Sequence, residues 1–165
     1  MSIIINVRRL EAHTIDESAV HAVMTDVHSC ALVMLESATY IQSELANVRM
    51  SEELRLQIEQ VCTALVGIKH DIISELFELE ELYGSEASAS VICSRIDRIV
   101  QRIQDEITRM HQLVMDLESA SKQDPAYGFA YVLISESATN ILNAFNRTRE
   151  AADSLCAEAG ETRNT

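Results

Sequence analysis

Apolar residues recur along this chain at alternating steps of four and three, over stretches far too long for a strand. Val20, Met24, Val27, Ala31, Met34, Ala38, Ile41, Leu45 and Val48 form the first run. Leu54, Ile58, Val61, Leu65, Ile68 and Ile72 form a second, resumed by Leu79 and Leu82. A third runs through Ile92, Ile96, Ile99 and Ile103, then Met110, Leu113, Leu117 and Ala120. The fourth is Tyr127, Tyr131, Ile134, Ala138, Ile141, Phe145, Thr148, Ala152 and Leu155. Each is a heptad stripe on one face of a helix. Two carboxylates interrupt the stripes: Glu75, beside Leu76, in the second and Glu106, beside Ile107, in the third.

The breaks between runs carry helix-end chemistry. Ser51 precedes Glu52 and Glu53, an N-cap serine with acids in the first turn. Gly84 follows Tyr83 where the second helix should stop, and Ser85–Ser90 is a small polar linker. Asp124-Pro125 puts a cap residue before proline at the first helical position. Gly160 marks the expected end of the last helix. The spacing predicts helices near 15–49, 52–83, 87–121 and 125–158, each about 50 Å long. Short connections make neighbours antiparallel. The expected fold is all-α: one domain over 1–165, an up-down-up-down four-helix bundle with an N-terminal arm at 1–14 and a tail at 160–165. The alternative is two long hairpins that complete their core as a homodimer, and a homodimer is the expected assembly.

Composition narrows the partners. With 26 acidic against 13 basic residues the formal charge is −13, which repels phosphate backbones and anionic headgroups, so neither nucleic acid nor membrane is expected. The Ile3-Ile4-Ile5 patch lacks the full apolar length of a signal peptide. The longest apolar runs, such as Cys30–Leu35 and Phe129–Ile134, are six residues, against about 20 for a membrane span. The expectation is a soluble cytoplasmic protein with four reduced thiols, Cys30, Cys62, Cys93 and Cys156. Counting height along the helices, only Cys93 and Cys156 come level.

A short word recurs. Glu36-Ser37-Ala38-Thr39 returns as Glu136-Ser137-Ala138-Thr139. Ala38 and Ala138 fall on the stripes of the first and fourth helices. Small residues there allow close backbone approach, so the two copies are expected to meet near mid-bundle.

Catalytic patterns are sparse. No Gly-rich phosphate loop and no HExxH occurs, and no cofactor is expected. His70 lies on an outer face, the setting of a phosphotransfer histidine, but its lysine and glycine precede it; the plainer reading is a solvated histidine beside Asp71. His21 and His28 share a face two turns apart, about 10 Å, too far to share a metal. A ferritin-like metal bundle needs Glu-x-x-His pairs, and none occurs. Arg95, Arg102 and Arg109 recur every seven residues with Arg98 alongside. They read either as partners for the acids of the second helix or as a docking strip. Leu32, Val33, Leu35, Val132 and Leu133 make their helices apolar beyond a two-position stripe. Those shoulders and the arginine strip are the candidate binding residues of a non-enzymatic protein-interaction module. A phosphotransfer bundle working through His70 and a metal-binding bundle are the alternatives.

Overall fold

The computed structural model describes the backbone of residues 16–84 and 88–164 and side chains through residue 157. The Ile3–Val7 arm and part of the Ser85–Ser90 linker lie outside the described residues. Four long helices account for nearly all of what is described: α1 (Glu17–Leu45), α2 (Glu52–Gly84), α3 (Ala89–Gln123) and α4 (Gly128–Asn164). A short 3-10 turn, Pro125–Tyr127, leads into α4. α1 lies beside α2 and α4, and α3 beside the same two, so the chain runs round an up-down four-helix bundle.

The caps are those the local chemistry requires. Asp16 accepts the Ser18 amide at 3.1 Å, Ser51 Oγ the Leu54 amide at 3.3 Å and Ser88 Oγ the Val91 amide at 3.4 Å. Asp124 accepts from the Ala126 amide at 3.0 Å, with Pro125 in the first turn. Two turns at one end of the bundle are tied together, because the Ser51 amide donates to Tyr127 Oη at 2.9 Å. α4 differs from expectation at its end: it continues through Gly160 to Asn164. An interior glycine weakens a helix by only about 1 kcal/mol and does not forbid it.

The stripes form one core. Ile92, Ile96, Ile99, Ile103, Met110, Leu113 and Leu117 of α3 are all buried, as their spacing requires. Elsewhere the buried face is rotated or widened. In α1, Val23 is buried while Met24 is half-buried, and in α2, Cys62 is buried while Val61 is half-buried. α4 buries Ala130, Leu133 and Ala144 besides its predicted stripe. A helix touching two neighbours needs a face wider than two positions in seven. α1 alone among the described helices has the length and apolar content of a membrane span; here its apolar stripe, from Val20 to Leu45, lies in the core.

Candidate functional site

The two copies of the repeated word meet where α1 and α4 pack. Glu36, Ser37 and Tyr40 line one cleft of about 500 Å³ together with Glu136, Ser137 and Arg147. The close approach is shared differently from the sequence expectation. Ala38 is fully buried, but Ala138 is half-buried and Ser137 takes the inward position. Ser37 and Ser137 are both buried. The threonines of the two copies behave alike: Thr39 donates to the Leu35 carbonyl and Thr139 to the Ser135 carbonyl, each at 3.0 Å. Such back-bonding satisfies a hydroxyl within its own helix.

The apolar shoulders divide. Leu133 is 4% exposed and belongs to the core, so the surface open to a partner is carried by its neighbours. Val33 and Leu35 are half-buried. Leu32 and Val132 are 39% and 51% exposed. Phe129, which opens the Phe129–Ile134 apolar run, and Tyr40, which lies outside the Cys30–Leu35 run, are also each 51% exposed. They fall between the predicted stripes and the polar faces, where a heptad pattern carries no information.

The arginine stripe faces α2. Arg95 Nη1 lies 3.0 Å from Glu78 Oε2 and 3.5 Å from Glu75 Oε2. Arg102 pairs with Asp71. Arg109 instead turns to Glu106 on its own helix, at 3.6 Å. Arg98 is exposed and has no ion pair among the described residues. These half-exposed pairs add little stability, but they hold α2 and α3 in antiparallel register.

Glu106 fills its stripe position. Its carboxylate is 5% exposed, and its Oε1 is buried without a hydrogen-bond partner. Burial raises its pKa, with Arg109 pulling the other way. Gln57 Oε1 and Glu75 Oε2, both on α2, are also buried without a hydrogen bond. Two of the three, on Glu75 and Glu106, occupy stripe positions and Gln57 sits beside the α2 stripe, which makes the α2–α3 seam the polar one. Two clefts of about 320 Å³ open along it, and Glu106 and Arg109 line both.

The thiols also divide. Cys30 and Cys62 are buried, and desolvation pushes each to about 11. Cys93 on α3 and Cys156 on α4 are half-buried, and each thiol lies within electrostatic reach of the other. Burial raises the Cys156 pKa strongly, and Cys93, Asp97 and Asp153 add to it. His21, His28, His70 and His111 are all exposed. His21 lies 3.8 Å from Glu17. Among the described residues no three His, Cys, Asp or Glu side chains converge as a metal site would need.

These features define a four-helix bundle with small buried side chains at the α1–α4 contact and a polar α2–α3 seam. Comparison with protein-family models, curated proteins and solved structures found no match for the chain.

Proposed function

We propose that this protein is a non-enzymatic interaction module that receives a helix of another protein along the outer groove between α1 and α4. The observation that supports this reading is the groove's composition. Val33 and Tyr40 on α1 face Glu136, Asn140, Asn143 and Arg147 on α4. Phe129 lies one heptad before Glu136 and extends the same face of α4. The result is a mostly polar groove with Val33 and Tyr40 as its apolar anchors and Glu36, Glu136 and Arg147 as its charges, a surface suited to an amphipathic helix. Leu32 and Val132 flank it. Anchors would supply affinity, while Glu36, Glu136 and Arg147 would select the partner's charge pattern. Arg98, Arg95, Arg102 and Arg109 form a second, weaker surface, since three of the four already have acids beside them. The homodimer belongs to the same reading, with a second copy as the occupant of the groove.

The experiment is affinity capture by the full chain in a lysate of its source, repeated with Tyr40→Asp and Phe129→Asp. A partner lost with both variants and kept with Leu56→Asp, on α2, supports the reading. Light scattering shows whether the occupant is a second copy. Capture indifferent to all three changes, or robust turnover of a small molecule, would overturn it.

A further inference from the structure

A further groove runs along the other side of α1, where it packs on α2, separate from the α1–α4 groove. Ile73, Leu76, Phe77 and Glu80 recur at helical spacing on one face of α2, and Met24 and His28 stand one turn apart on α1. Together they line a cleft of about 180 Å³. Met24, Ile73 and Leu76 are half-buried there. The Phe77 ring is 65% exposed, the most of any large apolar side chain among the described residues. The cleft is smaller than the roughly 300 Å³ at which small-molecule sites begin. It suits a few side chains of an extended segment.

Residues 1–15 precede Asp16, the first described residue. They include Ile3, Ile4, Ile5 and Val7, which belong to none of the four helix stripes. Met24 and His28 lie about 12 and 18 Å from Asp16 along the axis of α1. The stretch from Val7 to Asp16 spans about 30 Å at most, enough to return over that distance with slack for a turn. We propose that the Ile3–Val7 segment of the same chain docks in this cleft, its isoleucines against Met24, Ile73, Leu76 and Phe77. Charge agrees with that path. Arg8 and Arg9 follow the apolar segment, so the returning chain carries them toward the end of α2. Glu80 lines the cleft, Glu81 follows it, and the last turn of α2 has no basic residue to meet its carbonyls. Neither glutamate makes an ion pair among the described residues. The tether favours this occupant over a separate molecule, because a short linker holds it at an effective concentration on the order of millimolar.

Trypsin reports the docking in the full-length chain, because cleavage after Arg8 and Arg9 follows the population in which the segment has left the surface. Ile4→Ser and Phe77→Ser should each speed that cleavage about tenfold, the loss of one apolar contact of this size. Leu56→Ser, at another exposed apolar position of α2, should leave the rate unchanged. Circular dichroism should be the same for all, since Phe77 and Leu56 lie at the surface. Magnetic resonance of the methyl-labelled full-length chain should show the Ile3–Ile5 methyls against the Phe77 ring. A cleavage rate indifferent to Phe77→Ser, or raised equally by Leu56→Ser, would overturn the docking, as would the absence of those methyl–ring contacts. In a mixture of labelled and unlabelled chains the contacts should stay within one molecule. Contacts found only between molecules would make the occupant a second copy's segment and overturn docking within the chain.

Discussion

Thr148 of α4 donates its hydroxyl across the bundle to the backbone carbonyl of Asp26 in α1, at 3.1 Å. The same oxygen lies 3.1 Å from the Ala144 carbonyl in its own helix. A fully buried hydroxyl thus serves as a polar pin inside an apolar stripe. The Asp26 carbonyl is a helical acceptor and keeps its main-chain partner when the hydroxyl is lost. Thr148→Val should therefore cost only about 1 kcal/mol in denaturant unfolding.

The α1–α4 approach depends on small side chains. Ser37→Leu or Ser137→Leu would force a branched side chain into a buried position between packed helices. Each should destabilise by about 1–3 kcal/mol, whereas Ser137→Ala should be far milder. Thermal unfolding of the three variants is the measurement. Equal stability for Ser137→Leu and Ser137→Ala would show that the helices do not meet closely there.

Glu106 makes stability depend on pH in a defined direction. Its pKa is raised in the fold above the ordinary 4.5, by burial. The folded chain therefore holds this proton more tightly than the unfolded chain. The cost of burying the carboxylate is absent below the unfolded pKa. It grows as pH rises through the folded pKa and is complete above it. Glu106→Gln should match wild type in acid and exceed its stability at neutral pH. Glu106→Leu, which restores the stripe, should gain about 1–3 kcal/mol at pH 7. Unfolding curves of the three proteins at acidic and neutral pH test the sign.

Cys93 and Cys156 should form an intramolecular disulfide when treated with diamide, which takes up the two electrons and two protons the thiols release. The two thiols are near enough to raise the pKa of Cys156. The raised Cys156 pKa makes the reaction slow at neutral pH and faster in alkali, because the thiolate is the nucleophile. Cys30 and Cys62 should remain reduced in the folded protein, being buried with pKa values near 11. Peptide mapping of the oxidised product decides it; a bridge involving Cys30 or Cys62 would contradict this placement.

The arginines show where sequence reading stops. Their seven-residue spacing places Arg95, Arg102 and Arg109 on one face of α3, and that much is legible from the pattern. Which acid each one meets is not. Arg95 and Arg102 reach across to α2, while Arg109 stays with Glu106 on its own helix. The shoulders teach the same point: Leu133 and Val132 are adjacent in sequence, but one lies in the core and the other is half in water.

The chain's own pattern determined that it forms long helices, where they start and, for α3, which face is hidden. Periodicity, caps and breakers are local properties, written within a few turns of the residues they control. Only tertiary packing decided that Ser137 rather than Ala138 turns inward against α1, which acid each arginine meets, and that Glu106 is buried in a polar seam with an unsatisfied oxygen. Those outcomes depend on which helix lies alongside and at what height, and a heptad stripe is silent about its neighbour's register.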